Sequence, residues 1–461
     1  SSSARTAQKT LETQTKKTET GRELTNRTLL VRNANTWTGN QFTRRSILIE
    51  DGKITRVARR LNHEEGEEID ASKLLALPGL IDVHVHLRDM RLSYKEDFAT
   101  GTAAAAAGGF TTVLDMPNTI PPTDTPQRLV EKQRRAKKRI YVNVGFHAAA
   151  RSDARTIAEL ARRGAFSLKL YMPKPIAPLN VKDDATVREM MRNARQSGLP
   201  VTVHAEDLDA SNETTESDFR GLAEARPPIL ESRAVERIIR AQKLTQCRIH
   251  FCHLTLKSSL DKIRVASSTI TSEVTPHHLW LSKRILRRMG WKAWMVPPLR
   301  SEQDRRQLLE AARSGSCDVI ASDHAPHAVR EKMMDPEKCP PGIPGLETTL
   351  PLMLTLVNRG VLSFSRLIDT TSANPARIFG LSSKGRIRPR YDGDLVLVDP
   401  KKKSRINPNR FFSKAKYSPF DGHMTEGSVV STIVGGTIVY DQEDLVGREG
   451  SGSVIRSSFP C

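Results

Sequence analysis

Short β-branched runs alternate with helical stretches between Pro78 and about Phe379, and this alternation constrains the fold more than any other feature of the sequence. Strands that alternate with helices pair in parallel, because each helix returns the chain to the same edge of the sheet. Eight runs are present: Leu80 to Leu87, Thr111 to Asp115, Ile140 to His147, Ser167 to Tyr171, Pro200 to His204, Arg248 to His253, Ile270 to Val274, and Asp318 to Asp323. Helical stretches between them include Glu96 to Ala107, Pro126 to Lys138 and Arg233 to Leu244. Eight such units predict a (β/α)8 TIM barrel over residues 78–377, with its active site at the carboxyl ends of the strands.

Both ends of the chain have a different pattern, in which short alternating segments are joined by turns. Asp51-Gly52 separates Ser46 to Glu50 from Ile54 to Val57, an arrangement typical of a β-hairpin. The same pattern returns after about Arg377, where Gly435-Gly436 joins two apolar segments. We predict that residues 27–77 and 378–445 together form a small β-sandwich domain, so that the fold class is α/β with a composite second domain.

The two termini are predicted to lie outside these domains. Residues 1–26 are rich in Ser, Thr, Lys and Glu and lack the apolar core of a secretory signal, so we expect a disordered tail there. Residues 446–461 are interpreted as a C-terminal tail.

Composition limits the classes of function. The net charge of +20 can indicate a nucleic-acid partner, but the basic residues are dispersed and aromatic residues make up only 5% of the chain, too few for base-stacking platforms. We therefore expect no nucleic-acid partner. No apolar run approaches the roughly 20 residues of a membrane span. The five cysteines form no CxxC pair, which favours a reducing compartment. We predict a cytoplasmic protein with no membrane contact.

Side chains that can bind metal ions lie at the ends of five predicted strands. They are His84 and His86 in the first strand, Lys169 in the fourth, His204 in the fifth, His253 in the sixth and Asp323 in the eighth. A spacing of two residues places His84 and His86 on one face of their strand, and Arg88 continues that spacing. Because parallel strands end at one rim of a barrel, we expect these side chains to meet there.

Imidazole and carboxylate ligands suit zinc and, less strongly, manganese or cobalt. Two neighbouring ions require a bridging anion, and Asp323 is the only carboxylate in this set. Lys169 supplies a second anion if its amine is carboxylated, whereas its ammonium form would be repelled by two cations.

Several segments resemble the signature sequences of the dihydroorotase family of cyclic amidohydrolases. The segments are LPGLIDVHVHLR at 77–88, DMPNT at 115–119, TVHAE at 202–206, EVTPHHL at 273–279, ASDHAPH at 321–327, GLET at 345–348, and SKA with SPF between 413 and 420. The resemblance extends from about residue 28 to about residue 440. It is specific, since a histidine pair at this spacing alone would indicate only the wider superfamily.

The resemblance implies a particular set of metal ligands. His84, His86 and Asp323 would hold one divalent ion, and His204 and His253 the other. N6-carboxylated Lys169 and a hydroxide would bridge the two ions, for which Zn²⁺ is the expected metal. Arg88, Asn118 and His327 match the residues that bind the substrate carboxylate, and a guanidinium suits that task because it forms charge-assisted bonds to carboxylates.

The resemblance also implies an activity. The expected reaction is the reversible hydrolysis of (S)-dihydroorotate to N-carbamoyl-L-aspartate in de novo pyrimidine biosynthesis, through the bridging hydroxide and with Asp323 as catalytic general base and acid. A homo-oligomer is expected, and an association with aspartate carbamoyltransferase stays open.

Some alternatives remain open at this stage. One alternative is that the chain is a hydantoinase, a dihydropyrimidinase or an allantoinase. The substrates of those enzymes lack the ring carboxylate that Arg88 and His327 would bind. A catalytically silent scaffold relative is a second alternative, but such relatives typically lose metal ligands. Cys252 and Glu273 either bind a further ion or support the other ligands. Val296 stands where relatives often have Asn.

Overall fold

The computed structural model describes residues 27–62, 66–210 and 218–457. The predicted tail 1–26 and the last four residues of the predicted C-terminal tail lie outside the described residues. Within the described ranges, no helix combines the length and the apolar character that crossing a membrane requires.

The barrel strands follow the predicted runs closely. They are β6 Leu80–Val85, β7 Phe110–Asp115, β8 Asn143–Phe146, β9 Ala148–Ala149, β10 Leu168–Tyr171, β11 Val201–His204, β12 Ile249–Phe251, β13 Ile270–Val274 and β14 Val319–Ile320. The third predicted run contains β8, and β9 follows directly after that run; the two strands pair with β7 and β10 respectively. A parallel bridge between Val85 and His324 joins the first strand to the last, so the eight predicted strands form a TIM barrel.

Helices surround this barrel and pack their apolar faces onto it. Their bounds are α1 Phe98–Ala107, α2 Pro126–Ala136, α3 Ala154–Arg162, α4 Asp184–Gln196, α5 Phe219–Glu224, α6 Pro228–Thr245, α7 Lys257–Ala266, α8 Pro276–Trp280, α9 Leu286–Met289, α10 Glu302–Ser314, α11 Val329–Lys332, α12 Leu346–Asn358, α13 Phe364–Ile368 and α14 Asn374–Ile378. Side-chain caps begin several of them, as at Asp97, whose carboxylate accepts from the Thr100 amide at the start of α1. One large apolar cluster, which includes Val144, Leu168 and Leu260, joins strands and helices.

The two ends of the chain form one composite sheet. Its strands are β1 Thr28–Trp37, β2 Phe42–Glu50, β3 Lys53–Ala58, β4 Glu67–Asp70, β5 Leu75–Pro78, β15 Leu395–Arg405, β16 Met424–Val434, β17 Thr437–Asp441 and β18 Asp444–Leu445. Antiparallel pairing of β5 with β15 connects the N-terminal and C-terminal portions. The strands enclose their own apolar core, which includes Val31, Ile47 and Leu397, so the predicted composite β-sandwich is present.

The C-terminal segment after β18 returns to the barrel. Val454 forms a parallel bridge with Val144, and the amides of Gly450 and Gly452 donate to the carbonyl of Ile140. The segment therefore pairs with β8 on the edge that β7 leaves open. The domain boundaries proposed from the sequence stay a prediction.

Candidate metal centre and active site

One cavity opens at the carboxyl ends of the barrel strands and encloses about 220 Å³. It is lined by the nine residues that the sequence predicts to bind the two main ions or the substrate: His84, His86, Arg88, Asn118, Lys169, His204, His253, Asp323 and His327. They converge because parallel barrel strands direct their carboxyl ends to one rim. Their roles in binding stay predictions.

Three of these residues have an unusual backbone. Arg88, His253 and Asp323 adopt φ angles of 58°, 32° and 46°, in the left-handed region that non-glycine residues rarely occupy. Each such residue costs on the order of 1–3 kcal/mol, and such residues concentrate at functional sites. The barrel holds these strained residues at the strand ends, where their side chains face the cavity.

His84, His86 and Asp323 form a cluster of hydrogen-bond acceptors. Nε2 of His84 and Nε2 of His86 each lie 3.3 Å from Oδ1 of Asp323. The other ring nitrogens are occupied, because Nδ1 of His84 donates to Glu273 at 2.5 Å and Nδ1 of His86 donates to Asn118 Oδ1 at 2.8 Å. The two Nε2 atoms therefore point at the same carboxylate oxygen, and each presents a lone pair only when its ring is unprotonated.

The pKa values of His84 and Asp323 depend on the charged groups around them. Burial and the ammonium of Lys169 oppose a charge on His84, but the carboxylates of Glu273 and Asp323 outweigh them and raise its pKa to about 10. Burial also opposes ionisation of Asp323, yet the adjacent His84 and His86 hold the pKa of its carboxyl below the ordinary value. His84 and Asp323 thus favour positive charge in the space between them.

His204 and His253 form a second pair of imidazoles, with ring centroids 4.4 Å apart. Nε2 of His204 donates to Glu206 at 2.6 Å, which leaves Nδ1 as the acceptor. Nδ1 of His253 is buried and has no hydrogen-bond partner among the described residues. Burial, only partly offset by Glu206, lowers the pKa of His204 to about 4, so the ring is neutral near pH 7.

Lys169 lies beside these imidazoles. Its Nζ donates to Sγ of Cys252 at 3.0 Å, and its positive charge lowers the pKa values of His204 and His253, although burial is the larger cause for both. Cys252 and Glu273, for which the sequence predicts a minor role, lie behind the cavity surface. Ligand atoms of His84, Cys252 and Glu273 lie within 4.8 Å of one another.

The donor set fits divalent metal ions. Ligand atoms of His84, His253 and Asp323 also lie within 4.8 Å of one another. Converging imidazole nitrogens and a carboxylate are the ligands that zinc and related ions prefer. Nδ1 of His253, which has no hydrogen-bond partner among the described residues, is one such nitrogen. Carboxylates behind the ligands, such as Glu273 and Glu206, fix the ring orientations as metal sites require.

The opposite end of the cavity collects hydrogen-bond donors. Nη2 of Arg88 lies 3.1 Å from Nε2 of His327, and Nε of Arg88 donates to the carbonyl of Pro326 at 3.2 Å. Asn118 also lines the cavity; its Oδ1 accepts from Nδ1 of His86, and its side-chain amide nitrogen is a donor group. This end suits an anion, because a guanidinium and an amide donate without accepting at these nitrogens.

Sequence reasoning missed three groups that support the site. Glu206 receives hydrogen bonds from both His204 and Arg226, the latter at 2.6 and 3.2 Å. Although burial opposes it, these partners lower the pKa of Glu206 to about 2. Lys95 contacts Nδ1 of His327 at 3.0 Å. Only Glu206 had a signal in the sequence, since it repeats the spacing of two residues after His204.

Comparison with known proteins identifies the family to which this chain belongs. Residues 75–439 match the amidohydrolase family. The chain therefore belongs to the amidohydrolase family.

Relatives within that family narrow the assignment. The chain is 38% identical over 416 residues to a dihydroorotase of Methanothermobacter thermautotrophicus, covering 88% of this chain and 93% of that protein. It is 36% identical over 412 residues to a dihydroorotase of Bacillus cytotoxicus, covering 86% and 94%. By sequence, the chain groups with the dihydroorotases.

Solved structures with the same fold carry other names. An L-hydantoinase (dihydropyrimidinase) from Arthrobacter aurescens superposes with a TM-score of 0.87 at 29% identity, covering 93% of this chain and 99% of that one. A dihydropyrimidinase from Brevibacillus agri gives a TM-score of 0.85 at 28% identity, covering 94% and 100%. These likenesses establish the shared architecture, and one architecture supports several reactions.

Proposed function

We propose that this protein is a dihydroorotase, which interconverts (S)-dihydroorotate and N-carbamoyl-L-aspartate in pyrimidine biosynthesis. Sequence identity to proteins of that name over most of the chain supports the proposal. The reaction breaks the ring amide bond by adding water, so that the carbonyl carbon becomes a carboxylate and the ring nitrogen gains a proton.

One observation carries the choice of substrate: the cavity has acceptors at one end and donors at the other. His84, His86 and Asp323 converge at the first end, whereas Arg88 and His327 converge at the second. Dihydroorotate matches this polarity, because its reacting amide and its carboxylate lie on different sides of one small ring. Substrates without a ring carboxylate would leave the buried Arg88 without an anionic partner, which is costly.

The residues define which groups would hold metal ions. His84, His86 and Asp323 would bind one ion, and His204 and His253 the second, with carboxylated Lys169 between them. Bound ions would polarise the reacting carbonyl and lower the pKa of a water molecule. Zinc is the ion that the ligands suit best.

The side chains of the protein perform the remaining tasks. Asp323 is ionised near neutral pH because its pKa is held low, so its carboxylate can accept a proton from water and deliver it to the departing ring nitrogen. Arg88, Asn118 and His327 would bind the ring carboxylate and so hold the reacting amide next to Asp323. Such alignment converts binding energy into rate.

Turnover by the purified full chain tests the proposal. Metal content and rates with dihydroorotate, hydantoin, dihydrouracil and allantoin should be measured together. We expect bound divalent metal and a kcat/KM for dihydroorotate at least about 100-fold above the others, the discrimination that an unpaired buried charge produces. A preference for hydantoin or dihydrouracil would favour the function named for the structural neighbours. Bound metal without turnover of any substrate would favour a scaffold protein.

Two further proposals concern the setting of the enzyme. The four cysteines in the described residues are free and buried, which supports a reducing compartment such as the cytoplasm. Self-association, and association with aspartate carbamoyltransferase, stay predictions from the family resemblance.

A further inference from the structure

We propose that Lys95 is a positioning residue, which fixes the ring tautomer of His327 and thereby makes its Nε2 a hydrogen-bond donor for the substrate carboxylate. The inference rests on the proposed function, because the substrate must carry a carboxylate at this end of the cavity. Lys95 itself does not line the cavity, whereas His327 does.

The first step is the hydrogen-bond chemistry of the ring. Nζ of Lys95 lies 3.0 Å from Nδ1 of His327. An ammonium group has donors and no acceptor, so Nδ1 must accept. A neutral imidazole has one donor and one acceptor nitrogen, and the proton of His327 therefore resides on Nε2. Burial, reinforced by the charges of Arg88 and Lys95, holds the pKa of His327 well below its ordinary value, which keeps the ring neutral.

The second step concerns what Nε2 faces. It donates to the carbonyl of Pro341 at 3.0 Å, and Nη2 of Arg88 lies 3.1 Å away. Arg88 also only donates, so it has no acceptor in His327 once Lys95 has set the tautomer. A carboxylate oxygen placed beside these groups would accept from Arg88 and would share the single Nε2 proton of His327 with the carbonyl of Pro341.

Lys95 is held in place for this task. Its ammonium pairs with Glu331 at 3.1 Å, and its side chain is 12% exposed. Glu331 also accepts from the Tyr94 hydroxyl at 2.8 Å and from the amide of Ala328 at 3.2 Å. Without Lys95, only the carbonyl of Pro341 would oppose the tautomer in which the proton is on Nδ1 and Nε2 accepts from Arg88. In that tautomer, Nε2 of His327 could not donate to the substrate carboxylate, and Nη2 of Arg88 would donate to His327 instead of the substrate.

Steady-state kinetics of Lys95→Met in the full-length metal-loaded enzyme test the inference. Met keeps the length of the side chain but cannot donate. We expect KM for dihydroorotate to rise about tenfold, the effect of losing one charge-assisted hydrogen bond, while kcat changes less than about threefold. Lys95→Arg should recover part of the loss. Lys73→Met, at an exposed lysine in the composite sheet domain, is the matched control and should leave both constants unchanged.

A double-mutant cycle identifies the route of the effect. In a His327→Ala background, adding Lys95→Met should cost less than about twofold, because its target is already absent. Inhibition constants give a readout that a purely structural role would not change. Orotate, which has the ring carboxylate, should bind about tenfold more weakly to Lys95→Met than to the unsubstituted enzyme. Uracil, which lacks the carboxylate, should bind equally well to both.

The outcomes separate the two proposals. If the unsubstituted enzyme does not turn over dihydroorotate, the proposed function is wrong. If it does, and Lys95→Met leaves KM unchanged, the role of Lys95 is wrong. Additive losses with His327→Ala, or equal weakening of orotate and uracil, would also overturn it. A loss of thermal stability or metal content that Lys95→Met and Lys95→Arg share would show a structural role for Lys95 and would overturn the inference, whereas a rise in KM of Lys95→Met without such a loss supports it.

Discussion

The two ends of the active-site cavity are built from many of the same residue types but have opposite hydrogen-bonding character. At one end, the Nδ1 atoms of His84 and His86 are occupied by Glu273 and Asn118, so their Nε2 atoms face Asp323 and are the nitrogens that can bind a cation. At the other end, Lys95 occupies Nδ1 of His327, so the proton of that ring is on Nε2.

The comparison shows that the partner behind each histidine decides what the histidine can bind. A carboxylate or an amide oxygen behind the ring makes the front nitrogen an acceptor, which suits a cation. An ammonium behind the ring makes the front nitrogen a donor, which suits an anion. A cyclic amide with a ring carboxylate needs both kinds of end within one cavity.

Asp323→Asn should break the acceptor end most severely. The substitution keeps the size of the side chain but removes the carboxylate that faces both His84 and His86 and that moves the proton. We expect kcat to fall by about 10³-fold or more, since both metal binding and proton transfer are affected. Assays at saturating metal check the prediction, with Asp335→Asn at an exposed loop as control. A kcat within about tenfold of the unsubstituted enzyme would contradict the role of Asp323.

Arg88→Met should break the donor end and leave the acceptor end intact. Removing a buried guanidinium that binds a carboxylate costs about 3–4 kcal/mol, so kcat/KM for dihydroorotate should fall roughly 10² to 10³-fold. Metal content, measured by elemental analysis, should stay at the unsubstituted level. Arg91→Met provides an exposed arginine nearby as control. Loss of metal from Arg88→Met would show that the two ends are not independent.

The comparison also shows which parts of the site the sequence could predict. Strand periodicity places His84, His86 and Arg88 on one face, and the barrel rule brings His204 and Asp323 to the same rim. These predictions need only local pattern and one topological rule, and the structure confirms the barrel. The orientation of each ring depends on partners far along the chain, which no local pattern specifies.

The contacts of Lys95 are an example of what the sequence could not predict. The sequence predicted a helix from Glu96, but Asp97 caps α1 through the Thr100 amide, and the helix begins at Phe98. Lys95 and Glu96 therefore stay in the preceding turn, where Lys95 reaches His327 and Glu96 binds Ser413. A difference of two residues in a helix boundary, which the periodicity cannot resolve, decides where the Glu96 side chain points.

Asn118 was predicted to bind substrate, and the structure adds its hydrogen bond to His86.

Glu273→Gln should weaken the acceptor end without removing a predicted ligand of the two main ions. Glu273 accepts from the rings of His84 and His250 and from the amide of His253. An amide in its place loses the charge and one acceptor, so the His84 ring is less firmly oriented and less basic. We expect metal affinity to fall 10- to 100-fold. Competition with a chelator measures this affinity, and Glu131→Gln is an exposed control; unchanged affinity would mean that ring orientation does not depend on Glu273.

Arg226→Met should have the smallest effect, because Arg226 acts on the acceptor end through two other side chains. It binds Glu206, which in turn accepts from Nε2 of His204. Arg226 is partly exposed and lies one step behind that carboxylate, so solvent can replace part of its contribution. Glu206 keeps its bond to His204 in the variant, and the tautomer that leaves Nδ1 of His204 free is therefore preserved.

We therefore expect metal affinity to fall only a few-fold, about threefold, with KM for dihydroorotate unchanged because the donor end is untouched. Chelator competition and kinetics on the same preparation check both parts, with Arg220→Met, at a more exposed arginine on α5, as the control. A rise in KM without loss of metal would place Arg226 at the donor end and so contradict the division of the cavity. A loss of metal as large as that of Glu273→Gln would show instead that the charge behind a carboxylate matters as much as the carboxylate itself.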